Sequence, residues 1–162
     1  MRIRTATQDD LDAICRVEAI CFPASEAGTR ESFAARLKVF PRHFLLLEDE
    51  GRLIGFVNGM VTDDRTISDV MFEQAELHKE DGKWQSVFGL DVLPEHSRKG
   101  YAGQLMRALI GHSREDGRCG CILTCKEHLL PYYTRFGFRN LGVSLSQHGG
   151  AVWYDMILEF SR

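Results

Sequence analysis

The residues best suited to chemistry stand in one basic, glycine-containing run, Arg98-Lys99-Gly100-Tyr101-Ala102-Gly103, between a strand-like segment and a helix-like one. A helix start leaves backbone N–H groups free and carries about half a positive charge, which suits an anion. Gly100 and Gly103 let the backbone come close to such a group, and Arg98 and Lys99 add cationic charge. A phosphate or pyrophosphate is the expected ligand. The run is not a Walker loop, because no Gly-Lys-Ser/Thr closes it, and its glycine spacing is not that of a dinucleotide fold. Proton-carrying candidates lie elsewhere. They are the Tyr132-Tyr133 pair after Pro131, the carboxylates of Glu18 and Glu26, and the imidazoles of His78 and His128.

The elements that must position these groups follow from periodicity. Arg2 to Ala6 reads as a strand, and Thr7 with the acids Asp9 and Asp10 as a helix start. Leu11, Ile14, Cys15, Cys21 and Phe22 share a helical face, and Glu18 falls on it. Pro23 to Gly28 is a loop of small residues able to cover a site, and Thr29 caps a second helix ending near Val39. His43 to Glu48 and Leu53 to Val61 form a hairpin. Residues 62–82 are polar and acidic, and read as a solvated loop with a helical turn. Trp84 to Leu93 is a strand. The helix after Ser97 carries adjacent apolar rows, Tyr101, Leu105, Leu109 and Ala102, Met106, Ile110. Strands at Cys119 to Cys125, Phe138 to Ser146 and Ala151 to Phe160, with a short helix at Leu129 to Phe136, complete the order β-α-α-β-β-β-α-β-α-β-β. The expected fold class is α+β: a mixed, mostly antiparallel central sheet flanked by helices.

Composition narrows the function. A length of 162 residues predicts a single domain, 1–162, and the apolar content of 44% suffices for one core. The net charge of −3, with acids and bases interspersed, argues against a nucleic-acid footprint. No apolar run is long enough to span a bilayer, and Met1 to Thr7 lacks the core of a secretory signal, so a cytoplasmic location is expected. The five cysteines are odd in number and poorly spaced as ligands, so no metal is expected.

The basic turn resembles motif A of the GNAT superfamily of N-acetyltransferases, Gln/Arg-x-x-Gly-x-Gly/Ala, here Ser97-Arg98-Lys99-Gly100-Tyr101-Ala102 with Ser at the first position. A later landmark, Leu130-Pro131-Tyr132-Tyr133-Thr134-Arg135-Phe136-Gly137-Phe138, is similar to the family's Pro-x-Tyr-x-x-x-Gly-Phe. Segments such as Glu18 to Phe22, Leu53 to Gly59 and Cys125 to Pro131 resemble the serotonin (arylalkylamine) N-acetyltransferase branch. The resemblance implies acetyl-CoA as co-substrate. Arg98, Lys99, Gly100, Tyr101, Ala102 and Gly103 would hold its pyrophosphate, and the backbone of Leu90, Asp91 and Val92 its pantetheine arm. It further implies polarisation of the thioester oxygen by an N–H near Leu90, and Tyr133 as the acid that protonates the departing thiolate.

The base stays open. Freeing an alkylamine with pKa near 10.4 at pH 7 costs about 4.6 kcal/mol. The animal serotonin enzymes use two histidines on the strand before motif A, where this chain has Ser86 and Phe88. Glu18, Glu26, His78, His128 or a water chain could substitute, and Glu18 could equally be a partner of a buried arginine. Phe22, Phe33, Phe40, Phe72, Phe88 and Trp153 could line an acceptor pocket or be core. The leading expectation is transfer of acetyl to the primary amine of a small molecule, by a monomer or homodimer. A protein N-terminus or lysine as acceptor, and a non-catalytic acyl-CoA-binding or sensing domain, are the alternatives.

Overall fold

In the computed structural model, which describes residues 1–161, two sheets share one strand path that divides at Phe88. The first sheet has the order β1 (Arg2–Thr5), β2 (Phe44–Asp49), β3 (Arg52–Asn58), β6 (Gly89–Val92) and is antiparallel throughout. The second has the order β4 (Val61–Thr62), β5 (Trp84–Val87), β7 (Gly120–Cys125), β9 (Tyr154–Glu159), β8 (Arg139–Val143). Its β5–β7 pair is parallel and the others antiparallel.

Two segments expected as single strands are thus each broken in two. Trp84 to Leu93 becomes β5 and β6, because Val87 pairs with Leu123 of β7 while Gly89 pairs with Asn58 of β3. Leu53 to Val61 becomes β3 and β4, parting at Gly59. A Cβ at Gly59 would sit 1.9 Å from the Ser86 carbonyl oxygen, so only glycine permits the crossing of these chains. Past Val87 the strand leaves β7 and follows β3 instead. That separation opens a gap between β6 and β7.

Helices α1 (Leu11–Cys21) and α2 (Arg30–Val39) cover one face of the first sheet, as their apolar rows require. Thr29 caps α2, its Oγ1 accepting the Ser32 N–H at 3.1 Å. Ile14, Val17, Phe33 and Leu37 pack there on Phe44, Leu46 and Phe56. On the opposite face α4 (Tyr101–Glu115) inserts Leu105, Met106 and Leu109 against Leu45, Leu47 and Val57. The alternation along β2 divides its side chains between the two cores. The short α5 (Leu130–Thr134) lies across from α4 near β7.

The acidic stretch 62–82 departs from its expected solvation. It holds α3 (Asp69–Glu73), and Ile67, Met71 and Ala75 are buried with Phe40, Trp84 and Ile122 in a third core. Only Met71 of the three lies within α3; Ile67 precedes it and Ala75 opens the following 3-10 turn. No helix among the described residues is long and apolar enough to cross a membrane.

Candidate functional site

The gap between β6 and β7 opens into a cavity of about 550 Å³ that passes from one face of the sheets to the other. On the α4 side its wall includes Val87, Leu90, Val92, Ala102, Cys125 and Tyr133. On the α1–α2 side it includes Glu18, Arg36, Phe72, Phe88, His148 and Trp153. The edge of β6 facing β7 has no strand partner among the described residues, so its backbone polar groups point toward the gap. An extended chain bearing amides could pair with them.

The basic turn feeds α4 at the mouth of this gap. Gly100 is the residue before the helix, with φ +82°, and its carbonyl accepts the Gln104 N–H at 3.1 Å. A Cβ built there meets nothing within 4 Å, so the backbone conformation, rather than crowding, calls for glycine. No side chain caps the helix, which leaves its first amides to a ligand or to water. Arg98, itself at φ +63°, and Lys99 are exposed beside it. Ala102 and Gly103 are half-buried in the first turn, and Tyr101 packs against the α4-side core.

The α1–α2 side is built around two carboxyl groups. Glu18 is buried on the apolar face of α1, and its Oε2 accepts the Gly28 N–H at 2.8 Å. Asp91 stands opposite Phe56 on β6, which directs its side chain to the α1–α2 face, away from Leu90 and Val92. It is 1% exposed, and neither of its oxygens meets an N–H donor among the described residues. Burial, with the Glu18 carboxylate beside it, holds the Asp91 proton well above the usual carboxylate range.

Arg36 supplies the nearby cation, though not the expected ion pair with Glu18. Its Nη1 donates to Asn58 Oδ1 at 3.1 Å and its Nη2 to the Phe72 carbonyl at 2.9 Å. The guanidinium lies over the rings of Phe33 and Phe88, 5.0 and 4.9 Å from their centroids. Burial lowers its pKa to about 10, so it keeps its charge at neutral pH. Arg36 and Asn58 carried no sequence signal beyond a basic residue on α2 and an apolar strand ending in amide. Asp69, Glu73 and His148, also on the cavity wall, come from segments read as loops.

Tyr133 lies across the gap from β6. Its ring meets Tyr132 and Phe138 edge-on, at 5.2 and 6.3 Å, and burial pushes its phenol pKa upward. Tyr132 borders the same cavity. Ser86 is spent internally, donating from Oγ to the Met60 carbonyl at 2.7 Å, while the Phe88 ring packs against Phe72 at 4.7 Å, tilted by 43°. Of the other base candidates, Glu26 lies on the cavity wall, its Oε2 accepting from Lys126 Nζ at 2.7 Å. His78 and His128 do not border the cavity. His78 packs on Phe40 and His43, and His128 is exposed on the turn before α5. Of the aromatic candidates, Phe22, Phe33, Phe72, Phe88 and Trp153 reach the cavity, whereas Phe40 belongs to the third core.

A second polar cluster, away from the cavity, joins His43, His78, His112, Glu80 and Asp116, whose possible ligand atoms fall in two groups within 4.8 Å. Hydrogen bonding accounts for the first group, whereas in the second His43 Nδ1 and His112 Nε2 have no hydrogen-bond partner among the described residues. His78 Nδ1 accepts the Val61 N–H at 2.9 Å, so its Nε2 carries the proton that faces Glu80 and has no lone pair to give. Asp116 is held by Arg42 and Arg118, whose charges oppose a cation. The cluster ties residues 42–43, 78–80 and 112–118 together.

Residues 11–138 match the model of the acetyltransferase (GNAT) family. Among curated proteins, the serotonin N-acetyltransferase of Mesocricetus auratus is 26% identical over 162 residues, covering 94% of this chain and 74% of its own. Two solved structures share the fold closely. One is the loading GNATL domain of CurA from Lyngbya majuscula, with TM-score 0.84, 14% identity and 98% and 96% of the two chains covered. The other is the GphF GNAT-like decarboxylase in complex with isobutyryl-CoA, with TM-score 0.81, 20% identity and 98% and 99% covered. A fold shared with a decarboxylase does not select a reaction, so the side chains in the cavity must.

Proposed function

Because the chain belongs to the GNAT family of acetyltransferases, we propose that it moves the acetyl group of acetyl-CoA onto the primary amine of a small molecule with an apolar or aromatic arm. The observation that carries this reading is the cavity spanning the β6–β7 gap, with an anion-seeking helix start at one end and buried carboxyls at the other. Acetyl-CoA enters from the α4 side. The free amides of Tyr101 to Gly103, with Arg98 and Lys99, take its pyrophosphate, and the open edge of β6 at Leu90 to Val92 takes the pantetheine amides. The thioester carbonyl then lies by the backbone N–H near Leu90, which stabilises the oxygen as it gains charge.

The amine enters from the α1–α2 side between Phe22, Phe72, Phe88 and Trp153. Its ammonium proton passes to Glu18, and the freed nitrogen attacks the thioester carbon. The C–S bond breaks, the leaving thiolate takes the phenol proton of Tyr133, and the second proton shed by the nitrogen as it becomes an amide passes through water to restore the phenol. Burial raises the phenol pKa, and the same dry surroundings move that of the leaving thiol in the same direction. Glu18 suits the base role better than Glu26, whose carboxylate is already engaged by Lys126.

A thiol-release assay over a panel of arylalkylamines, polyamines, amino acids and short peptides tests the proposal. Turnover with small amines bearing an apolar arm is expected. Turnover confined to peptides with a free N-terminus overturns the acceptor assignment, and no acetyl-CoA binding at all overturns the reading of the turn.

A further inference from the structure

We infer that Asp91 is a positioning residue for the proton transfer: its protonated carboxyl donates to Glu18 from behind and holds that carboxylate toward the acceptor half of the cavity. The inference rests on the reading of Glu18 as the group that receives the amine proton.

The geometry leaves Asp91 little alternative. It sits behind the cavity wall at 1% exposure, with no N–H donor on either oxygen among the described residues. A buried carboxylate without donors or a paired cation costs several kcal/mol, and neutralises instead. The groups near it are Glu18 and Cys21 from α1, Arg36 from α2 and Asn58 from β3, with Tyr133 of α5 on the other face of β6. Arg36 directs its hydrogen bonds to Asn58 and the Phe72 carbonyl, and the Cys21 thiol, pushed up to about 12 by burial, gives its proton to the Val92 carbonyl at 3.4 Å. The acceptor left for an Asp91 O–H is Glu18. One Glu18 oxygen is already fixed by the Gly28 amide, so a second anchor would lock the carboxylate's rotation.

The pair then carries one negative charge before reaction. When the ammonium loses its proton to Glu18, the Asp91 proton stays where it is and the pair becomes neutral. That neutral state is the one a buried site tolerates best, so the burial that penalises the starting anion favours the transfer. The proton leaves to solvent through the acceptor half after the amide departs.

The test compares pH–rate profiles of single-turnover acetyl transfer for the wild type, Asp91→Asn and Glu18→Gln, with acetyl-CoA affinity measured for each. Asp91→Asn keeps a donor to Glu18 but removes the second carboxyl. Because an amide N–H stabilises the Glu18 carboxylate less than the carboxyl O–H does, its acidic limb is expected to move up by about one pH unit, with acetyl-CoA affinity unchanged. A structural role alone leaves the limb in place, and that outcome overturns the inference. Loss of the limb in Glu18→Gln together with an unmoved limb in Asp91→Asn removes Asp91 alone. Retention of the limb in Glu18→Gln removes the Glu18 reading on which the inference stands. Should Asp91→Asn not fold, infrared spectroscopy of the wild type decides. A protonated-carboxyl stretch at pH 7 supports the shared proton, and its absence overturns it.

Discussion

His148 Nε2 lies 2.7 Å from the backbone carbonyl oxygen of Glu26, 122 residues earlier in the chain, and the bond ties the β8–β9 connection to the loop between α1 and α2. A carbonyl can only accept, so the imidazole donates. The Glu26 side chain meanwhile binds Lys126, whose ammonium lies 5.8 Å from the Trp153 ring centroid, and the indole N–H donates to the His148 carbonyl at 2.8 Å. The imidazole also stacks on Phe72, 5.7 Å away at 19°. Four segments distant in sequence thereby roof the α1–α2 half of the cavity.

Cutting this roof at His148 is expected to loosen the acceptor and leave the other substrate alone. His148→Ala removes one hydrogen bond and one stacked ring, together worth about 1–2 kcal/mol. The KM for the best amine should rise about tenfold, with acetyl-CoA affinity unchanged. Equal weakening of both substrates would place the fault in the fold as a whole.

Much of this arrangement was legible in the sequence, and the illegible parts share a cause. The turn at Arg98 to Gly103, the α4 rows and the cap at Thr29 each express a local rule, and local rules survive without tertiary context. The breaks at Gly59 and Phe88 do not. Each depends on which neighbour a strand chooses, and a single chain read in order does not contain that choice. The acceptor carboxyls show the same limit. Glu18 stood out because it lies on an apolar helix face, but Asp91 drew attention only for its backbone on the strand before the basic turn, and the pairing with Phe56 is what turns its side chain inward. Arg36 was invisible for the opposite reason, since a basic residue on a helix ordinarily faces water.

Substitution at Gly100 separates conformation from charge. Alanine finds open space there but must adopt φ +82°, at a cost of about 1–2 kcal/mol. Gly100→Ala should weaken acetyl-CoA binding by about tenfold. Gly100→Glu adds a carboxylate beside the expected pyrophosphate and should abolish it. The readout is the acetyl-CoA-dependent thermal shift, which at ~100 times Kd corresponds to about 2.7 kcal/mol for the wild type. If Gly100→Glu retained the full shift, the pyrophosphate would lie elsewhere.

The histidine cluster predicts a pH dependence of stability independent of catalysis. His43 is fully buried, and burial lowers its pKa from 6.5 to about 4 against the opposing bond to Glu80, to whose oxygens its Nε2 lies within 3.0 Å. The unfolded chain therefore binds a proton at His43 that the folded chain refuses between about pH 6.5 and 4. Stability is full above that window and falls as the pH drops through it, by about 3 kcal/mol at most. Melting temperature measured from pH 6.5 to 5, above the range of ordinary carboxylates, should fall more steeply for the wild type than for His43→Gln. Parallel slopes would assign the effect to other groups, His112 first among them, since burial lowers its pKa too.

Tyr133 is the strictest test of the chemistry, because its ring is structural whether or not its proton is used. The ring packs edge-on against Tyr132 and Phe138, contacts that Tyr133→Phe keeps. Among the described residues no side chain or carbonyl is hydrogen-bonded to the hydroxyl, so removing the oxygen leaves the packing intact and takes away the proton alone. General acid catalysis contributes roughly 10²–10⁴-fold, and solvent can replace part of it. A fall in kcat of at least about tenfold is expected, with acetyl-CoA affinity changed little. Tyr132→Phe borders the same cavity and serves as the control, expected to stay near wild-type turnover. Single-turnover measurement is required, because slow product release would hide the loss in kcat. A Tyr133→Phe protein with wild-type single-turnover rates would return Tyr133 to the core and leave the thiolate to be protonated by water.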